Sequence, residues 1–159
     1  MAQDTLPITL RGKHMLETEL KKLIHEERPA IIKAIEEARA HGDISENAEY
    51  DAAKERQGMI EGRIGEIQFK LSGVESVDPA TIKSDKIVFG ATVEILDTET
   101  DEKATYQIVG VDEADVKKGM ISIISPISRA LIGKKVGELA TVQSPKGDKE
   151  YEIISFKFV

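Results

Sequence analysis

The stretch ENAEYDAAKERQGMIEGRIGEIQFKL, residues 46–71, decides how the first half of this chain folds. Along it, residues on one face recur in alternating steps of four and three, which is the heptad pattern of a helix that packs along a seam. We therefore predict a long helix whose seam residues are Glu46, Tyr50, Ala53, Gln57, Ile60, Ile64, Ile67 and Leu71.

A second helical pattern precedes this one. Thr9 is suited to cap its start, apolar residues then recur every three or four positions, and Gly42 ends it. Pro29 removes one backbone hydrogen bond and predicts a kink, but the stripe resumes beyond it, which favours one long helix. Two helices joined by so short a turn run antiparallel. Residues 1–75 are thus predicted to form a coiled-coil hairpin roughly 40 Å long, with an acidic tip at residues 42–50.

The second half has a different period. Residues 76–86 have the composition of a linker, and alternating apolar residues then predict short strands up to the C-terminus. Ser125 and Pro126 are suited to the N-cap and first turn of one short helix, which Gly133 ends. Residues 87–159 are therefore predicted to form a small antiparallel sheet with one helix, and the whole chain is of the α+β class.

Composition limits the function. The chain has 159 residues, no cysteine and a formal net charge of −7. Binding of free nucleic acid needs a strong positive field, so we expect no independent DNA binding. The sequence shows no secretory signal and no window close to the ~20 apolar residues of a membrane span. We expect a cytoplasmic protein without membrane association. If it acts on nucleic acid, another molecule must hold that nucleic acid.

The predicted turn carries two carboxylates, Asp43 and Glu46, whose spacing lets them converge on one side. Such hard oxygen donors suit Mg²⁺ or Mn²⁺, but two are too few to hold Mg²⁺ tightly, so a partner would have to complete the site. The same spacing is also that of a capping box, in which Asp43 caps the helix and Glu46 reaches back. Spacing alone favours the capping interpretation.

The segment ARAHGDISENAEYD, residues 38–51, resembles the tip of the bacterial Gre transcript cleavage factors, which are transcription elongation factors, and it is close to the GreA type. Ile44 stands where leucine is more usual in that family. The resemblance extends over nearly the whole chain. Other matching segments include LRG at 10–12, FGATV at 89–93, DEAD at 112–115, SPI at 125–127 and ALIGK at 130–134.

The resemblance implies a function for the whole chain. The C-terminal domain would be FKBP-like, and the hairpin would enter the secondary channel of RNA polymerase. There, Asp43 and Glu46 would help to hold a Mg²⁺ shared with the polymerase and to orient a water that cleaves backtracked nascent RNA near its 3′ end. The chain would then be a monomeric cofactor protein rather than an enzyme, and it would bind no Mg²⁺ tightly by itself.

Three further residues near the tip are candidates for RNA contact. Tyr50 is the seam residue next to the turn, where it either packs on the opposite helix or has a role at the tip, supporting Glu46 or contacting RNA. Lys54 and Arg56 lie two to three turns below the tip, where the resemblance implies a basic patch that contacts RNA.

Arg56, Arg63 and Lys70 repeat every seven residues. For Arg63 and Lys70 we expect ion pairs with glutamates of the first helix, such as Glu36 and Glu37.

The segment Ser125, Pro126 and Ile127 is a helix start that the resemblance also implicates in docking on the rim of the secondary channel, with Ile127 as an exposed apolar anchor. Two alternative functions remain at this point. One is a secondary-channel regulator of the same fold that inhibits polymerase, and the acidic pair argues against it. The other is a coiled-coil adaptor with no polymerase role, which leaves the acidic pair unexplained.

Overall fold

The computed structural model describes residues 6–42 and 47–159. The described residues fall into two compact units, one comprising Lys13–Gly73 and the other Val74–Val159 together with the residues up to Gly12. In chain order the helices and strands are β1 Ile8–Thr9, α1 Leu10–Lys22, α2 Arg28–Ala40, α3 Ala48–Ser72, β2 Ser76–Val77, β3 Thr92–Asp97, β4 Lys103–Val109, β5 Met120–Ser122, α4 Pro126–Leu131, β6 Leu139–Val142 and β7 Lys149–Lys157.

The first unit is the predicted helical hairpin. Helix α2 packs along α3, and Arg63 of α3 bonds to Glu19 of α1 while Asn47, before α3, bonds to Ala38 of α2. The two pairings show that the helices run antiparallel. Burial follows the predicted seam, because its inward residues are the least exposed ones on each helix: Leu23, Ile31, Ile35 and Ala38 on one side, and Ile60, Ile64 and Ile67 on the other.

A π-helical turn at Leu23–Glu27 lies between α1 and α2, just before Pro29. This wider turn shifts the phase of the apolar stripe between α1 and α2, since it inserts one extra residue into the helix. Pro29 follows in the first turn of α2, where a proline is best tolerated. The predicted single long helix is therefore helical throughout but not uniformly α-helical.

The second unit contains a five-stranded sheet with the strand order β5-β4-β3-β7-β6. Fully buried side chains on its inner face, such as Val93, Ile95, Ile108 and Ile153, form the core together with Leu131 of α4. The predicted fold class is confirmed, with one difference. The sheet is mixed, because β5 lies parallel to β4 after two 3₁₀ turns carry the chain back along the sheet.

The hairpin begins later in the chain than predicted. Residues up to Gly12 belong with the sheet rather than with the hairpin. The reason is local: β1 pairs in parallel with β2, placing Ile8 opposite Ser76, and both Ile8 and Thr9 are buried. The predicted linker at 76–86 accordingly includes a short strand. Among the described residues, no helix has the length and apolar character needed to cross a membrane.

Candidate functional site at the hairpin turn

The two helix ends that flank the turn are joined by Asn47. Its Oδ1 accepts a hydrogen bond from the Tyr50 amide at 3.1 Å, which makes Asn47 the N-cap of α3. Its Nδ2 donates to the carbonyl oxygen of Ala38 at 2.6 Å. One side chain thus satisfies a free amide at the start of one helix and a free carbonyl near the end of the other.

The end of α2 depends on a glycine. The helix stops at Ala40, and Gly42 has a φ of +135°. Side chains with a Cβ rarely adopt that conformation, so a glycine is the residue suited to this position. Gly42 therefore ends the first helical segment, as predicted.

Asp43 and Glu46 lie outside the described residues, and their part in metal binding stays a prediction. The described residues nevertheless bear on the capping alternative, which needs Asp43 as the N-cap of the second helix. That position belongs to Asn47, and α3 begins at Ala48. Asp43 is therefore not the N-cap of α3, as the capping-box interpretation requires.

Tyr50 lies against the opposite helix. The guanidinium carbon of Arg39, near the end of α2, is 5.7 Å from the centroid of the Tyr50 ring, and the ring is half-buried. Such a cation–π contact adds to the link between the helix ends. The packing interpretation of Tyr50 is confirmed, while support for Glu46 or contact with RNA stays a prediction.

Lys54 and Arg56 are both exposed on α3. The Lys54 ammonium donates to Gln57 Oε1 at 3.2 Å. Arg56 lines a shallow groove of about 450 Å³ whose walls include Leu23, Met59 and Ile60. Within residues 6–42 and 47–159, neither cation forms an ion pair, so both charges are available to an external anion.

Below the tip, Arg63 links the two helices. Its Nε and Nη2 donate to the two carboxylate oxygens of Glu19, both at 2.8 Å, and its Nη1 lies 3.2 Å from Glu66 Oε2. The hydrogen bond from Arg63 holds the pKa of Glu19 below its ordinary value. Hydrogen bonds from Lys70 and then Arg63 likewise lower the pKa of Glu66.

The expected partner of Arg63 needs correction. Arg63 does pair across the hairpin, but with Glu19 rather than with Glu36 or Glu37. An antiparallel hairpin brings together residues at similar distances from the turn, so Arg63 lies beside Glu19, whereas Glu36 and Glu37 are several helical turns nearer the tip. A further bidentate pair, Arg28 with Glu61, also crosses the hairpin, with N···O distances of 2.7 and 2.8 Å.

The start of α4 has the predicted cap. Ser125 Oγ accepts from the Ser128 amide at 3.2 Å, and Pro126 occupies the first turn. Ile127 is not exposed as expected, because its side of α4 packs on the sheet core and leaves it half-buried. The more exposed apolar residue is Ile124, just before the cap, with 47% of its surface accessible. Docking through this segment stays a prediction.

One buried charged residue was missed by the sequence analysis. Glu113 is 4% exposed, and its Oε1 accepts hydrogen bonds from the amides of Thr9 at 2.8 Å and Gly110 at 3.1 Å. Its Oε2 accepts from the Thr9 hydroxyl and lies 3.8 Å from the Arg11 guanidinium. A Cβ at Gly12 would come within 2.4 Å of the carboxyl carbon. The sequence signal for this contact was Gly12, because glycine is unusual in the first turn of a helix.

No group of three or more histidine, aspartate or glutamate side chains suited to a metal ion occurs among the described residues.

Comparison with known proteins covers both units. The family model for the N-terminal domain of transcription elongation factors matches residues 6–75, and the model for the C-terminal domain of transcription elongation factor GreA/GreB matches residues 82–158. The transcription elongation factor GreA of Ralstonia nicotianae is 57% identical over 156 residues, covering 98% of this chain and 99% of that protein. The GreA of Thioalkalivibrio sulfidiphilus is 56% identical over 154 residues, covering 96% and 98%.

Among solved structures, GreA factor homolog 1 of Thermus thermophilus is 26% identical, covers 95% of this chain and 97% of that chain, and superposes with a TM-score of 0.43.

Proposed function

This chain belongs to the GreA/GreB family of transcription elongation factors, and on that premise we propose how it acts. It binds RNA polymerase through the secondary channel, places the hairpin turn beside the active site and stimulates the polymerase's own cleavage of backtracked RNA. Asp43 and Glu46 are the residues of this chain that take part in the chemistry.

The observation that supports this role is the cap of α3. Carboxylates at a helix start are commonly explained by capping, yet here the Tyr50 amide is satisfied by Asn47. Asp43 is therefore not the N-cap of this helix, which removes the main alternative explanation for an acidic residue at this position. Asn47 also fixes the spacing between the helix ends from which the acidic segment emerges.

The donor set fits Mg²⁺ only in part. Mg²⁺ takes six oxygen ligands and usually keeps several waters, so two carboxylates can share it with a partner but cannot enclose it. When bound, Mg²⁺ stabilises charge on phosphate oxygens and lowers the pKa of a bound water. Asp43 and Glu46 would supply oxygen ligands and accept hydrogen bonds from the attacking water. The chain would thus be a cofactor protein rather than an enzyme.

Other parts of the chain would bind the complex. Lys54 and Arg56 carry charges with no ion pair among the described residues, and they would neutralise phosphates of the extruded RNA 3′ end. Tyr50 would support the tip through its contact with Arg39. Around Ser125–Ile127, the exposed Ile124 offers an apolar anchor for polymerase docking. We propose that the chain acts in this way as a cytoplasmic monomer.

The two alternative functions lack support. An adaptor without a polymerase role does not agree with membership of the elongation factor family across both units. A regulator that only inhibits polymerase has no observation in its favour, and the curated relatives described above carry the name of elongation factor.

The test is a stalled, backtracked elongation complex to which the wild-type chain, Asp43→Asn or Glu46→Gln is added. Each substitution keeps the side-chain shape but removes the charge that holds a hard cation, so maximal cleavage should fall about 100-fold. Polymerase binding and helicity should stay unchanged. Raising the concentration of Mg²⁺ or Mn²⁺ should partly restore cleavage.

Glu49→Gln is the matched control, because Glu49 is an exposed acid in the first turn of α3, and it should retain wild-type cleavage. A charge-neutral variant at position 43 or 46 that cleaves at the wild-type rate under limiting Mg²⁺ would refute the proposed role of that carboxylate. Cleavage of naked RNA by the purified chain without polymerase would refute the shared site.

A further inference from the structure

A polar pocket of about 270 Å³ lies on the outer face of the five-stranded sheet, on the side away from the core. It combines two basic side chains with three hydrogen-bonding side chains and a thioether: Arg11, Lys118, Thr92, Thr105, Gln107 and Met120. All of them belong to the sheet unit, so the pocket is separate from the hairpin turn.

Strand register brings the polar residues together. Thr92 of β3 is opposite Gln107 of β4, and Gln107 is opposite Met120 of β5. Thr105 precedes Gln107 by two positions and so shares its face. The intervening residues point into the core, as the complete burial of Val93 shows.

A left-handed glycine brings Lys118 to this row. Gly119 has a φ of +74°, and its carbonyl accepts a hydrogen bond of 2.7 Å from the Gln107 amide. A Cβ at Gly119 would lie 3.0 Å from the carbonyl oxygen of Thr105. Glycine therefore allows the turn that carries Lys118 to close tightly over β4.

The charges around the pocket favour an anion. None of the described residues that line it is acidic, although the chain as a whole carries a net charge of −7. In the described part of the chain, Lys118 makes no ion pair, and the hydroxyl groups of Thr92 and Thr105 make no hydrogen bond. Two acids are opposite lining residues in register. Glu94, opposite Thr105, lies 3.9 Å from the Lys103 ammonium, and Asp115, bridged to Met120, accepts a hydrogen bond from the Lys117 amide through its side chain.

Only part of the Arg11 guanidinium group is in contact with other residues of the chain. One of its nitrogens lies near both Met120 Sδ and the buried carboxylate of Glu113, the latter at 3.8 Å. A guanidinium has five N–H donors, so others remain available. The carboxylate of Glu113 is 1% exposed and is already bonded to Thr9 and Gly110, so it offers little surface to a ligand.

We propose that this pocket binds a phosphate group, either as free phosphate or as a small phosphate monoester. Arg11 and Lys118 provide the positive charge, and Thr92, Thr105 and Gln107 provide hydrogen-bond donors. Charge-assisted hydrogen bonds of this kind are the strong ones in phosphate recognition. The volume is below the range of about 300–1,000 Å³ that is usual for drug-sized ligands, which favours a small phosphate compound.

The test is a titration of the full-length chain with inorganic phosphate and, separately, glycerol 3-phosphate, followed by amide NMR at low ionic strength. The amides of Thr92, Thr105 and Gly119 should shift in a saturable way. Lys118→Gln should weaken binding on the order of tenfold, and Thr105→Val should weaken it to a smaller extent. The tighter of the two probes identifies whether the site prefers free or esterified phosphate.

Lys117→Gln is the matched control, because Lys117 is also exposed and lies in the same 3₁₀ turn but does not line the pocket. Its affinity should equal that of the wild type. Equal losses in both lysine variants, or shifts that never saturate, would show only general charge screening and would overturn the proposal. Absence of any shift at the three amides would also overturn it.

Discussion

Asn47 makes two hydrogen bonds with different atoms of one amide group, and substitution can separate them. Asn47→Ala removes both, whereas Asn47→Asp keeps the acceptor for the Tyr50 amide but loses the donor to Ala38. Because Asp caps a helix about as well as Asn, and loss of a cap costs about 1 kcal/mol, hydrogen exchange at the Tyr50 amide should rise roughly fivefold in Asn47→Ala only. Equal exchange in both variants would show that the Oδ1 contact does not protect this amide.

Glu113 is the second residue whose effect can be predicted from its contacts. Glu113→Ala would leave the amides of Thr9 and Gly110 buried without an acceptor, so the sheet unit should lose about 3 kcal/mol of stability. Glu113→Gln should lose less, since it keeps one acceptor oxygen. Urea unfolding, followed by NMR signals of the sheet unit, measures the difference. Glu102→Ala, an exposed acid next to β4, is the control and should change stability little.

At the scale of elements, the ion pair between Arg63 and Glu19 should make the hairpin sensitive to acid. The pKa of Glu19 in the folded state is below its ordinary value of 4.5. Its contribution is therefore fully present above pH 4.5 and is lost as the pH falls through the lower, folded pKa. Arg63→Met keeps much of the apolar stem but removes the hydrogen bonds, so the unfolding midpoint of the hairpin should fall less steeply with acid than in the wild type.

Solvent screening limits how much the ion pair between Arg63 and Glu19 can stabilise the hairpin. Arg63 and Glu19 side chains are 33% and 42% exposed, so the pair should contribute no more than about 1 kcal/mol at neutral pH. Thermal unfolding of the helices, followed by circular dichroism between pH 3 and pH 7, measures both quantities. An unchanged slope in Arg63→Met would show that the pair does not couple folding to protonation.

Elements differed in how well the sequence predicted them. The hairpin was predictable because Ile60, Ile64 and Ile67 repeat with the period of their burial. The parallel pairing of β5 was not predictable, since an alternating pattern indicates a strand but does not indicate its direction.

Glu113 was missed for a related reason: its partner Thr9 is 104 positions away, so no local spacing reveals the bond. Ile127 was misjudged because a helix start does not reveal which side packs on the sheet.

At the scale of the whole molecule, the chain leaves the sheet unit and returns to it. The residues up to Gly12 enter this unit, the hairpin Lys13–Gly73 follows, and Val74 begins the remainder. The pairing of Ile8 with Ser76 brings together the segment that precedes the hairpin and the segment that follows it. The hairpin is therefore an insertion in the sheet unit rather than a domain that simply precedes it.

This arrangement predicts how the chain can be divided. A fragment beginning at Val74 lacks β1, so β2 loses its partner and the buried carboxylate of Glu113 loses the amide and hydroxyl of Thr9. Its unfolding free energy should be lower by about 3 kcal/mol than that of a chain in which a flexible Gly/Ser linker replaces Lys13–Gly73. Thr9→Val in the linked chain should give an intermediate value, because only the hydroxyl contact is removed. The linked chain should compete with the full-length protein for RNA polymerase without stimulating cleavage, since it lacks the hairpin. Equal stability of the fragment and the linked chain in urea would show that the first twelve residues are not an integral part of the sheet unit.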